Sequence, residues 1–253
     1  MISINLESLK ALAGKVKPKP YDVLGLDVAR SGIKVARVKR SGDGSLQLLA
    51  ADILPGVALP RKPGDALVPI QPLKLPKNLL ARHASFSVTG DNAVVKLLSF
   101  PGRAEAIAEQ IDTKIIEGIA LENPDAYRIG YKLLGESHSK TESRALAVAV
   151  PEVEARSVCM LLPAGLPAPR SIELSGLAAM TAFLQGAGAK EQDEAVGMLE
   201  FGSGVSFFAV FHKKVPVLIR RFDVGSSLIL EKVQESLGID RATAEGILAD
   251  GSF

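Results

Sequence analysis

The sequence predicts a duplicated α/β fold, and two observations carry that prediction. Residues 23–53 hold three short runs of β-type residues joined by tight turns, and residues 195–222 repeat that meander. Each meander leads on to segments of helical periodicity, and a Gly/Ala/Lys/Glu linker at 185–194 separates the copies.

Val23, Leu24, Leu26 and Val28 form the first run, and Ala29-Arg30-Ser31-Gly32 turns it into Ile33, Val35, Ala36 and Val38. A second turn, Ser41-Gly42-Asp43-Gly44, leads to Leu46, Leu48, Leu49, Ala51 and Ile53. The stretch 55–76 holds prolines at 55, 60, 63, 69, 72 and 76. Proline neither donates to a ladder nor continues a helix, so this stretch is predicted to be loop or extended crossover. A strand pair is expected at 84–88 and 93–98, joined by Thr89-Gly90-Asp91-Asn92. The spacing of Ala104, Ile107, Ile111 and Ile115 predicts a helix over 104–121, and the runs 128–134 and 144–150 alternate as strands. Pro151 opens a helix over 152–162, in a first turn where proline is tolerated. A short strand after Ala168-Pro169-Arg170 runs into a small-residue helix at 174–184. In the second copy, strands at 195–201, 205–211 and 215–222 precede a helix at 228–237 closed by Gly238. A last helix over 241–248 is capped by Asp240.

Composition narrows the function. Of 253 residues, 47% are apolar and 23% charged, as in a globular protein with a real core. Thirty basic against 28 acidic residues leave a net charge of +2, which offers no electrostatic footprint for nucleic acid. One cysteine, Cys159, excludes an internal disulfide and fits a reducing compartment; its apolar helix face places it in the core. No run reaches the roughly 18 to 20 apolar residues of a membrane-spanning helix. Residues 1–20 read as an amphipathic, basic tether: Ile4, Leu6, Leu9 and Leu12, then Lys10, Lys15, Lys17 and Lys19. His83, His138 and His212 are too scattered for a metal site, and Ser203 lacks the setting of a nucleophile.

The chemistry points to the hairpins. A tight turn of small residues can present backbone N–H groups to a phosphate, and an acid just before it can hold magnesium through water. Asp27 precedes the first tip and Glu200 the second, where Leu199-Glu200-Phe201-Gly202-Ser203-Gly204 runs into the returning strand. Gly202 and Gly204 read as hairpin glycines in left-handed backbone.

Gly25-Leu26-Asp27-Val28-Ala29-Arg30-Ser31-Gly32-Ile33-Lys34 resembles the first phosphate motif of the PilM family of type IV pilus assembly proteins. Phe100-Pro101, Tyr131 to Gly135, Ala147-Val148-Ala149-Val150-Pro151, Ala164-Gly165-Leu166, Leu199 to Gly202, Asp223-Val224-Gly225-Ser226 and the helix from Ala242 to Ile247 follow the family's motifs in order. The family is related to FtsA and, more distantly, to actin. The resemblance implies an actin-like α/β fold: duplicated RNase H-like βββαβα halves, an inserted α+β subdomain, and a second half that looks truncated. The corresponding layout is a tether at 1–20, a first half at 21–98 with 171–190, the insertion at 99–170, and an incomplete second half at 194–253.

The resemblance implies ATP and Mg as possible ligands. The nucleotide-binding positions would be Asp27, Ala29, Arg30, Ser31, Lys34, Glu200, Gly202, Ser203, Gly204, Gly225 and Ser226, with Asp27 and Glu200 toward the metal through water. Ala29 and Arg30 stand where the family has Gly and Ser, and Glu200 replaces its second aspartate, so nucleotide binding is expected to be weak or lost. The resemblance then implies a cytoplasmic scaffold, peripheral to the bacterial inner membrane. It would bind the N-terminal tail of a PilN-like bitopic partner, and other platform proteins. The peptide is expected in a groove of the first half, adding main-chain hydrogen bonds to a free sheet edge. An active Mg-ATP-dependent ATPase of the same fold, or a GspL-like cytoplasmic domain of a type II secretion system, are the alternatives.

Overall fold

The computed structural model describes residues 21–29, 32–43, 45–102, 108–136, 142–189 and 195–250. The predicted tether at 1–20 and the linker residues 190–194 lie outside them. The chain divides into two compact units.

Unit 1 comprises Met1–Ala58, Pro69–Val88 and Val158–Ile172. Its framework is a five-stranded sheet of order β3-β2-β1-β4-β8, with β1 Tyr21–Val28, β2 Ile33–Arg40, β3 Leu46–Leu54, β4 His83–Val88 and β8 Ala168–Leu174. The first meander is as predicted, antiparallel from β1 to β3, and β4 joins β1 in parallel. Alternate residues of the central strands, Leu24, Leu26, Val28, Ala84, Phe86 and Val88, are buried, the period of two that one core-facing side requires. Leu49 is the extra residue of a bulge in β3, where Arg37 faces Ala50 and Val38 faces Leu48.

Unit 2 comprises Leu59–Val68, Thr89–Ser157 and Glu173–Phe253. It holds two three-stranded sheets. One, of order β5-β7-β6, is built from β5 Val94–Pro101, β6 Tyr127–Glu136 and β7 Glu142–Pro151. Helix α1, Ile111–Ile119, lays Ile111, Ile115 and Ile119 on Ala145, Ala147 and Ala149 of β7, with Phe100 closing the cluster. An i, i+4 isoleucine stripe over small sheet residues lets helix and sheet approach closely. Helix α2, Glu152–Met160, follows β7 directly.

The other sheet, of order β11-β10-β9, is the predicted second meander: β9 Ala195–Phe201, β10 Ser206–His212 and β11 Val215–Phe222. Helix α3, Ser175–Gln185, carries Gly176, whose missing Cβ would stand 2.1 Å from Cγ of Phe207 on β10. Helices α4, Ser226–Leu237, and α5, Arg241–Asp250, complete the unit. Gly238, with φ 65°, ends α4, and Asp240 accepts the backbone N–H of Thr243 at 2.8 Å.

Three expectations change. The strands at 84–88 and 93–98 do not pair. Gly90 (φ 65°) and the bond from Ala93 N to Gly90 O turn the chain out of the five-stranded sheet, and β5 pairs with β7 instead. The predicted helix over 104–121 is shorter, with a 3-10 turn at Ala108–Gln110 leading into α1 and residues 103–107 outside the described set. Cys159 is half-buried and not a full member of the core.

Candidate functional site

At the first hairpin, antiparallel register places Asp27 directly opposite Lys34. Their charges lie 3.6 Å apart, and Ser87 Oγ, from the parallel strand β4, donates to the other Asp27 oxygen at 3.1 Å. The turn is closed by Ala29 N donating to Gly32 O at 3.2 Å. Two predicted ligands are therefore each other's neighbours. Arg30 and Ser31 lie outside the described residues. At the far end of the same strands Arg37 holds Asp22 in a two-pronged pair, Nε at 3.0 Å and Nη2 at 2.7 Å. That hydrogen bonding keeps the Asp22 carboxyl below its ordinary value.

At the second hairpin the tip is folded onto the start of α4. Ser226 N donates to Gly202 O at 3.0 Å, Ser227 N to Ser203 O at 2.9 Å, and Leu228 N to Gly225 O at 3.1 Å. Ser203 Oγ and Ser227 Oγ share a hydrogen bond of 2.9 Å, and Ser206 Oγ donates to Val224 O at 2.6 Å. Gly225 is required by this contact, since a Cβ there would stand 2.4 Å from Ser203 O and 2.5 Å from Gly202 O. A Cβ on Gly202 would lie 2.3 Å from Val205 O. Neither Gly202 nor Gly204 is among the glycines of positive φ, which corrects the reading of both: close approach explains Gly202, and Gly204 faces open space. Glu200 is half-buried on β9 opposite Phe207.

A helix N-terminus attracts anions because its first N–H groups lack partners. Here three of those groups on α4 already donate to carbonyl oxygens of the chain. Two of them, Ser226 N and Ser227 N, are held by the hairpin tip, and the third, Leu228 N, by the helix's own cap residue Gly225.

The chain is similar to a chain in a solved PilM-PilN type IV pilus biogenesis complex, with a TM-score of 0.65 at 17% identity over 89% of this chain and 68% of that one. The fold is actin-like, of the PilM type. Lower similarity extends to an actin-like ATPase fold protein of unknown function from Bacteroides thetaiotaomicron (TM-score 0.44, 8% identity, 87% of this chain and 78% of that one). It extends also to the cytoplasmic domain of EpsL, an inner membrane component of the type II secretion system of Vibrio cholerae (TM-score 0.43, 10% identity, 80% and 71%). No family model and no curated protein matches the sequence.

In this PilM-type frame the recognised stretches fall on distinct elements. Tyr131 to Gly135 lies in β6, Ala147 to Pro151 in β7, and Gly225-Ser226 at the α4 start. Among the described residues no three His, Cys, Asp or Glu side chains gather as a metal site, and no helix is long and apolar enough to cross a membrane. Sequence reasoning missed a buried ionic cluster around Glu154 and Arg61. Its one visible signal is an acid flanked by Val153, Ala155 and Val158 on a helix that buries all three.

Proposed function

We propose that this chain is a non-catalytic scaffold of a type IV pilus assembly platform, cytoplasmic and peripheral to the inner membrane. It binds the N-terminal cytoplasmic peptide of a PilN-like partner. The observation that carries this reading is the likeness, over 89% of the chain, to a chain solved in a PilM-PilN complex. The engagement of the described hairpin residues supports weak or lost nucleotide binding. Asp27 is engaged by Ser87 and Lys34, and two α4 N–H groups, of Ser226 and Ser227, are engaged by the Gly202 and Ser203 carbonyls. No hydrolytic step is assigned to them.

Among the described residues β3 is an outer strand of the five-stranded sheet, and it carries Leu48 at 62% and Ile53 at 71% exposure. An outer strand with uncovered apolar side chains suits strand addition, where main-chain hydrogen bonds give affinity and alternate side chains give specificity.

The test is thermal unfolding of the purified chain with a synthetic PilN-type N-terminal peptide, and separately with Mg-ATP. A ligand at a hundredfold excess over its dissociation constant stabilises the folded state by about 2.7 kcal/mol. We expect the peptide to raise the midpoint and Mg-ATP to leave it unchanged. A rise with Mg-ATP that disappears in Asp27→Ala would mean a working nucleotide cleft and revive the ATPase alternative, and a peptide without effect would remove the scaffold reading.

A further inference from the structure

Unit 2 buries an acid that neither hairpin uses. Arg61 belongs to Leu59–Val68, inside the proline-rich run, and is 5% exposed. Its Nη1 donates to Thr89 Oγ1 and stands 3.4 Å from Asp91 Oδ2 and 3.8 Å from Glu154 Oε1. Its carbonyl accepts from Asn92 Nδ2 at 3.2 Å. Glu154, on α2, is fully buried. Neither of its carboxyl oxygens has a hydrogen-bond partner, nor do the buried Ser157 Oγ and Arg61 Nε. On β11, Arg221 donates to Asp91 O at 2.6 Å and pairs with Asp223 at 2.9 Å. One buried guanidinium thus serves two carboxyl groups, the fully buried Glu154 and the partly exposed Asp91.

An uncompensated buried charge is costly, so a group in this position tends to neutralise. Burial pushes the Glu154 carboxyl up to about 7; the charge of Arg61 opposes that rise and the charge of Asp91 adds to it. With Glu154 neutral, Arg61 and Asp91 balance. With Glu154 ionised, the cluster holds one negative charge in excess and two oxygens in need of donors. Opening the segment that carries Arg61 lets water supply them.

That segment is held by short-range bonds of its own. Asp65 Oδ2 accepts from Lys62 N at 2.9 Å, Asp65 N donates to Lys62 O at 3.1 Å, and Gly64 turns with φ 83°. Arg61 is the buried side chain that anchors it, and these local bonds open when the anchor is released.

We propose that Leu59–Val68 is a proton-controlled strap, closed over Glu154 and the turn at 89–92 while Glu154 carries its proton and loosened when Glu154 ionises.

Hydrogen exchange of the full chain, read peptide by peptide at about pH 5.5 and about pH 8, tests this on both sides of the transition once intrinsic rates are divided out. Peptides covering 59–68 and 89–92 are expected to exchange severalfold faster at the higher pH. In Glu154→Gln, which keeps the shape and cannot ionise, they are expected to stay slow at both. In Asp91→Asn, removal of the like charge is expected to move the transition to lower pH. A wild-type strap equally protected at both pH values, the same rise in Glu154→Gln, or an unmoved transition in Asp91→Asn would each overturn the proposal.

Discussion

Gly176 and Phe207 meet so closely that a methyl group has nowhere to go, because the ring carbons lie within 2.1 to 2.7 Å of the missing Cβ. Alanine is favoured over glycine inside a helix by about 1 kcal/mol, whereas overpacking a filled core costs about 1 to 3 kcal/mol. Gly176→Ala is therefore expected to lower stability, by up to roughly 2 kcal/mol, in urea unfolding. Two acids set opposite pH trends. Asp22, held by Arg37, has its carboxyl below 3.8 in the folded state, so its contribution is present near neutrality and lost as pH falls through that lowered value. Asp22→Asn should weaken the fold near neutrality, by about 1 kcal/mol for a partly exposed pair, and flatten the acid limb. Glu154 works the other way. The unfolded chain gives up this proton near 4.5 and the folded chain near 7, so stability declines as pH rises between them, by roughly 3 kcal/mol at most. A series of thermal midpoints across that window, flat in Glu154→Gln, checks the sign.

At the scale of elements, α1 is fixed by its isoleucine stripe. Ile115 is 1% exposed in the cluster with Phe100 and the β7 alanines, so Ile115→Ala is expected to cost about 2 to 5 kcal/mol in chemical denaturation. Both meanders were legible in the sequence, because strand alternation and short turns are local signals that need no knowledge of distant partners. The strands beginning at 83 and 94 show the limit of such signals. The first alternates and the second does not, and neither pattern names a partner: β4 pairs with β1 and β5 with β7. The candidate site divides the same way. Asp27 was singled out as the acid before the first tip and Lys34 through the likeness to the family's first phosphate motif, and the hairpin register makes the two neighbours. The plugging of α4 by Gly202 and Ser203 carbonyls was not found, since it joins backbone atoms more than twenty residues apart and leaves no side-chain pattern. Glu154 was missed because its partners come from the loop and turn at 61 and 91, far away in sequence.

For the whole molecule, the duplication explains a difference between the halves. In unit 1 the first strand, β1, is covered on its outer side by the parallel strand β4. Its counterpart in the second meander, β9, is terminal in its sheet among the described residues. It leaves Leu199 at 61% and Phe201 at 49% exposure. The run Ala195-Val196-Gly197-Met198-Leu199-Glu200-Phe201 carries one charge, no lysine and no proline, so it lacks the usual guards of an outer strand. This has a practical consequence at the bench. Concentrated stocks are expected to associate through that strand, seen as a rise in apparent mass with dilution reversing it in light scattering. Leu199→Lys should keep the protein monodisperse without lowering its melting temperature, since the side chain it replaces is already mostly in water.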